Sequence, residues 1–334
     1  MNLNELWFVL ISVLFCGFFF LEGFDFGVGM LVPVLGKTDL ERRTLINTIG
    51  PVWDANEVWL ITAGGAIFAA FPGWYATMFS GLYLALFFVL AALIIRGVAF
   101  EFRSKVENKT WRSSWDVCIG IGSFLPPLLL GVAMANLIKG LPINAELEYA
   151  GSLLDLLSVP ALIVGATAVV LFLYHGAVYL SLKLEGPVLE RVYNAGRRAG
   201  AASILMALAS GIAAAYATEI FRKPLSGVLA VLAFAAIAAS YLMFLKKRTT
   251  RAMALNCLSI VGAVASLFSA LFPRVMVSSI KEEFSLTIYN VSSSPYTLKI
   301  MSIITLTILP VVLGYFIWTY WVFRKRVTVK HLEY

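Results

Sequence analysis

The stretch LWFVLISVLFCGFFFLEGFDFGVGMLVPVL, residues 6–35, decides the fold class. It stays apolar for longer than the roughly 20 residues that a membrane-spanning helix needs, yet it holds two carboxylates, Glu22 and Asp25. No Lys or Arg precedes it and it outlasts a signal-peptide core, so it reads as a retained span. The whole chain agrees with that reading. Of its 334 residues 60% are hydrophobic and 13% charged, where an ordinary globular domain has about 25% charged residues. With a mean hydropathy of +0.87, these proportions exclude a soluble protein, a disordered chain and a fibrous repeat. The net charge of +7 comes from short basic clusters between apolar runs, not from one stripe, which excludes nucleic acid as a partner.

Outward from residues 6–35, breaks of charge, Gly and Pro divide the sequence into nine candidate spans: 6–35, 52–71, 76–103, 113–139, 155–183, 193–220, 225–245, 252–273 and 298–323. Nineteen Lys and Arg follow the odd-numbered spans, Lys330 of the tail among them. Six stand beside the even-numbered ones, and Arg96 is left inside a span. Because cytoplasmic segments hold the excess of positive charge, the N-terminus is expected outside and the C-terminus in the cytoplasm. The expected fold is an all-α integral membrane protein with nine transmembrane helices, neighbouring spans antiparallel across short connections. The spans show no obvious broken halves. The one long outer segment, residues 274–299, holds the Ser-rich, Pro-containing stretch 291–295 and is expected to be an irregular loop.

Ionisable residues at membrane depth are confined to the first half. Glu22 and Asp25 are three apart on one helix face, and Asp54 and Glu57 repeat the spacing in the second span. The third span carries Arg96 and Glu101, and the fourth begins with Asp116. A charged group in the apolar layer costs a few kcal/mol, so such groups face the bundle interior and have partners. On the expected topology all of them gather toward the cytoplasmic side, near polar Asn47, Thr48, Asn56 and Thr62, an arrangement that suits proton uptake. The candidate proton-pathway residues are Asp25, Asp54, Glu57 and Glu101, with Arg96 as their charge partner. The competing structural reading makes Arg96 the neutraliser of one carboxylate and Asp54, Glu101 and Asp116 helix caps or snorkelling ends.

Gly23, Gly27 and Gly29 form a small-residue face around Asp25 that permits close helix approach. Trp53, Trp59, Trp74 and Tyr75 read as interfacial anchors. Ligands for redox cofactors are scarce. His175 is the one histidine in a span and His331 lies in the tail; a haem between His175 and Met134 or Met206 competes with the commoner role of a membrane histidine, a hydrogen bond to a neighbouring helix. Cys16, Cys118 and Cys257 have no paired spacing, and CxxCH, GxGxxG after a strand and Walker patterns do not occur. A redox role for this chain therefore requires that the cofactors belong to another chain.

Three stretches carry a resemblance: GFFFLEGFDFGVGMLVPVLG (17–36), ERRTLINTIGPVWDANEVWLITAGGAIFAAFPGWYATMFSGLY (41–83) and RGVAFEFR (96–103). Together they resemble subunit II of cytochrome bd-type quinol oxidase, nearly continuously over residues 17–103. The resemblance implies a heterodimer of the bacterial cytoplasmic membrane that oxidises quinol and reduces dioxygen to water. In that family subunit I holds two haems b and haem d and handles quinol and O2, while subunit II binds no cofactor itself. It also implies two four-helix bundles plus one additional helix. On this chain these become a first bundle with the intramembrane acids (1–139), a second bundle (140–273), an extracytoplasmic loop (274–297), and the ninth helix with a cytoplasmic tail (298–334). Cytoplasmic proton uptake is attributed partly to this subunit, at positions matching Asp25 and Asp54, with Glu57 close by. Implied partners are subunit I and membrane lipid, and a small single-helix third subunit is left open. Ala55 departs from the WDGNEVWL expected of the family, adding a methyl beside Asp54. The rival reading from another class is a secondary transporter with an ion or substrate site built from Asp25, Asp54 and Arg96.

Overall fold

A computed structural model describes residues 2–327; Lys330 and His331 lie outside the described residues. Helix α1 (Leu3–Leu35) starts at a capping box in which the Asn2 side chain accepts from the Glu5 amide and the Glu5 carboxylate accepts from the Asn2 amide. At 33 residues it is about 50 Å long, more than the apolar thickness of a bilayer. A short polar helix, α2 (Asp39–Asn47), follows behind a second capping box between Thr38 and Glu41.

Then come α3 (Trp53–Ala70), α4 (Pro72–Gly81), α5 (Tyr83–Phe102), α6 (Lys109–Lys139) and α7 (Val159–Lys183). The second half adds α8 (Pro187–Ala217), α9 (Pro224–Leu245), α10 (Thr249–Leu271) and α11 (Pro295–Val322). Between α10 and α11, strands β1 (Arg274–Met276) and β2 (Leu286–Thr287) pair antiparallel.

Among the described residues eight helices are long and apolar enough to cross a membrane: α1 and α5 to α11. The expected second span is present as α3, but its first turns hold Asp54, Asn56 and Glu57, and it falls short of the other eight in apolar character. Three expectations need correction. The expected third span is not continuous: Leu82, at φ −100° and ψ 16°, separates α4 from α5, where neighbouring Gly81 lies against the Tyr149 ring. The segment expected to be an irregular loop contains the β1–β2 pair and is bound back onto the bundle, with Ser293 Oγ donating to the Ala69 carbonyl at 2.6 Å. One of the expected interfacial anchors is an interior residue: Trp74 is fully buried, whereas Trp59, half-buried, lies on Gly17 with its ring 5.8 Å from that of Phe316.

Helix α1 is the central post, packed against α3, α6, α7 and α10. Helices α5 and α6, α7 and α8, and α9 and α10 form antiparallel neighbours around it, and α11 leans on α1 and α3. The small-residue face of α1 has the expected use. A Cβ on Gly27 would strike the Phe172 carbonyl oxygen, and one on Gly176 would strike the Gly27 backbone, so α1 and α7 cross at backbone contact. Toward the start of α1, Phe8, Phe15, Phe18 and Phe19 build the larger apolar core with Phe172, Phe268 and Trp74. On either side of Asp25, Phe24, Val28 and Leu31 join Ile46, Phe100 and Tyr179 in a second core. The buried charges lie where these two cores meet.

Candidate functional site

Helical spacing puts Glu22 and Asp25 on one face of α1, and the helices around that face supply partners for each. Arg96 of α5 reaches in from one side. Its Nη2 donates to Glu22 Oε1 and, at 3.1 Å, to Glu57 Oε2 of α3. The side chains of Arg96 and Glu22 have no solvent exposure, whereas that of Glu57 is 19% exposed. Arg96 also lies 4.6 Å from the Phe26 ring centroid, over an apolar face that holds the guanidinium without competing for its donors.

Asp25 takes its partner from α3. Its Oδ2 accepts from Asn56 Nδ2 of α3 at 2.6 Å, and Asn56 Oδ1 in turn accepts from Tyr320 Oη of α11 at 2.7 Å. Asp25 and Asn56 are both fully buried. Four atoms of the cluster, Asp25 Oδ1, Glu22 Oε2 and Arg96 Nε and Nη1, are buried without a hydrogen-bond partner among the described residues. Buried polar atoms are nearly always satisfied, so these four, two acceptors and two donors, mark the cluster as incompletely paired by protein groups.

The structure thus brings together Asp25, Glu57 and Arg96 of the expected site residues. Asp54 and Glu101 are exposed on this chain, and their side chains make no hydrogen bond or ion pair among the described residues. Sequence reasoning overlooked Glu22 as the direct partner of Arg96, and Tyr320 altogether. Tyr320 stands 264 residues from Asn56, and an aromatic residue near the end of an apolar helix gives no sign that its hydroxyl turns inward.

Asp116 belongs to a different assembly. It accepts from Arg103 Nε at 2.6 Å and Arg42 Nη1 at 2.7 Å, while Asp39 binds Arg103 at 2.9 Å and Arg112 at 2.8 Å. These ion pairs tie α2 to the ends of α5 and α6. Nearby, Glu41 of α2 meets Arg191 of α8 at 2.6 Å, and that partner holds the Glu41 carboxyl below the usual carboxylate range.

His175 is buried and both its ring nitrogens are engaged: Nε2 donates to the Phe20 carbonyl at 2.9 Å, and Nδ1 accepts from Asn256 Nδ2 at 2.8 Å. In this arrangement Nε2 carries the proton and the one ring lone pair, on Nδ1, is taken up by Asn256. Among the described residues no group of three or more His, Cys, Asp and Glu side chains is placed to hold a metal ion.

Residues 3–323 match the protein family described as cytochrome bd terminal oxidase subunit II. The chain belongs to this family. Among relatives of this subunit II family, the chain is 45% identical over 331 residues to cytochrome bd ubiquinol oxidase subunit 2 of Bacillus subtilis, covering 98% of each sequence. It is 34% identical over 366 residues to cytochrome bd-I ubiquinol oxidase subunit 2 of Escherichia coli K12, covering 99% of this chain and 97% of the relative. In fold it is similar to a chain of the bd oxidase from Geobacillus thermodenitrificans, with a TM-score of 0.76 at 18% identity over 95% of this chain and 98% of that one. As a bd oxidase subunit II it is a multi-pass membrane component of a terminal oxidase, and the buried charges on α1, α3 and α5 fall within the matched region.

Proposed function

We propose that this chain is the haem-free second subunit of a quinol:oxygen oxidoreductase in a bacterial cytoplasmic membrane, and that it carries part of a cytoplasmic proton-uptake route. Its partner, subunit I, would hold two haems b and haem d and bind quinol and O2. The chemistry that consumes protons belongs to those cofactors, and this chain's own residues hold and pass the protons. We place α3 among nine spans, with the N-terminus outside and the C-terminus inside. The first bundle then takes residues 1–139, the second 140–273, the outer loop 274–297, and the ninth helix with its tail 298–334.

One observation carries the reading: four ionisable side chains from three helices, Glu22, Asp25, Glu57 and Arg96, meet in the interior of a chain of this family. Structural packing alone does not explain them, because replacing a buried ion pair by apolar residues is often neutral or stabilising. Asp54, exposed one turn before Glu57, and Glu101, beyond Arg96 on α5, stand at the entrance, and Asp25 is the innermost carrier. Reduction of O2 with protons drawn from the cytoplasm, while quinol releases its protons outside, charges the membrane without a separate pump.

Asp25→Asn tests the route. It should slow oxygen reduction about a hundredfold, the low end of what a positioned proton-transfer group contributes, with unchanged haem content. Full turnover and an undiminished membrane potential in that variant would remove Asp25 from the route. The wider assignment is tested by native purification: a larger membrane subunit and haem d absorption should accompany this chain, and membranes lacking the chain should lose the corresponding oxygen consumption.

A further inference from the structure

Asp25 depends on a hydrogen-bonded series that begins on the last helix. Tyr320 Oη donates to Asn56 Oδ1 at 2.7 Å, and Asn56 Nδ2 donates to Asp25 Oδ2 at 2.6 Å. An asparagine amide can occupy its site in two orientations, with oxygen and nitrogen exchanged. With the amide reversed, Asn56 Oδ1 would face the Asp25 carboxyl, acceptor against acceptor, and its NH2 group would face the phenol. The acceptor-only Asp25 carboxylate selects the other orientation, and the Tyr320 hydroxyl, which can donate or accept, anchors it by donating to Asn56 Oδ1. Asn56 is fully buried, so no solvent hydrogen bond competes with this choice.

We propose that Asn56 and Tyr320 are positioning residues for Asp25: the phenol of α11 fixes the amide of α3, and the amide holds one carboxyl oxygen of Asp25 so that the other, Oδ1, is presented for proton transfer. Asp25 Oδ1 is the buried oxygen that has no partner among the described residues. The proposal also gives α11 a role at the cluster, since this helix otherwise contributes few buried residues. It rests on the proton-route reading above and adds the residues that make Asp25 competent. The ionisable groups facing Asp25 are Glu22 of α1, Glu57 of α3, Arg96 of α5, Tyr179 of α7 and Tyr320 itself.

The test uses the intact complex with its partner subunit, read by oxygen consumption across pH, haem spectrum and KM for quinol. Tyr320→Phe removes only the hydroxyl. It should lower kcat about fivefold, the scale of one lost hydrogen bond, and displace the pH profile, with haem content and KM unchanged. In an Asp25→Asn background the same change should cost nothing further, because there is no longer a carboxyl to position. Asn56→Gln, which keeps the amide but moves it, should behave like Tyr320→Phe and serves as the second variant if the first does not assemble. A normal rate and pH profile in both variants would overturn the proposal, as would an equal loss with and without Asp25. Failure of both variants to assemble would make the pair a packing element and overturn it too. A silent Asp25→Asn would instead overturn the route itself, and this proposal with it.

Discussion

Arg96 is the residue on which the buried charge balances. Its guanidinium is enclosed by Glu22, Glu57 and the Phe26 ring, and both it and Glu22 are shut off from bulk solvent. Removing one member of such a pair leaves an uncompensated charge in the apolar layer and costs about 3–5 kcal/mol. Arg96→Met should therefore sharply reduce the yield of folded, haem-loaded complex, and adding Glu22→Gln to the same chain should recover much of it. Equal yields of the single and double variants, measured in native gels and by thermal unfolding, would show that the pair does not set stability. The depth of these acids was legible in the sequence because a charge in an apolar run is conspicuous by itself. Their pairing was not: Glu22 and Asp25 share a helix face, and only the surrounding helices send Arg96 to one and Asn56 to the other.

At the scale of the element, the contact of α1 with α7 is the feature most exposed to a single atom. Gly27→Val would push a side chain into the Phe172 carbonyl and the Gly176 backbone, atoms that cannot swing aside as a flexible side-chain end can. Expected are a separated α1–α7 pair, a displaced Asp25 and loss of turnover together with stability. Gly211→Ala on α8, where nothing lies within 4 Å of an added Cβ, should leave both intact. Unfolding temperature and oxygen consumption of the two variants, compared side by side, decide the matter. The small-residue face was readable from spacing, and so were α1 and α6 to α11, whose apolar runs outlast any other secondary structure. The division at Leu82 was not readable, because that joint carries no proline or charge and involves the packing of Gly81 on Tyr149 from a distant loop. Helix α2 escaped notice for the opposite reason: its polar sequence is held by a capping box and ion pairs, not by an apolar period.

At the scale of the whole molecule, α2 links the two halves by joining Glu41 to Arg191 at the start of α8. Because Arg191 lowers the Glu41 carboxyl from its usual value of 4.5, the link contributes stability above that value and loses it as pH falls through the lower, folded-state value. The intact complex should melt at a higher temperature than its Glu41→Gln variant at pH 7, and the gap should close in acid, below about pH 4.5. A gap that persists unchanged at low pH would mean that the carboxylate is not its source. By itself the sequence determined that this chain is helical and membrane-embedded, placed the acids at membrane depth in the first half and pointed to its family, because apolar length and charge position are properties of consecutive residues. Which acid meets which cation, that a tyrosine from the last helix closes the Asp25 site and that His175 is fully engaged were decided by the tertiary structure. Those are relations between groups tens to hundreds of residues apart, and hydrogen-bond geometry fixes them only once the helices have been brought side by side.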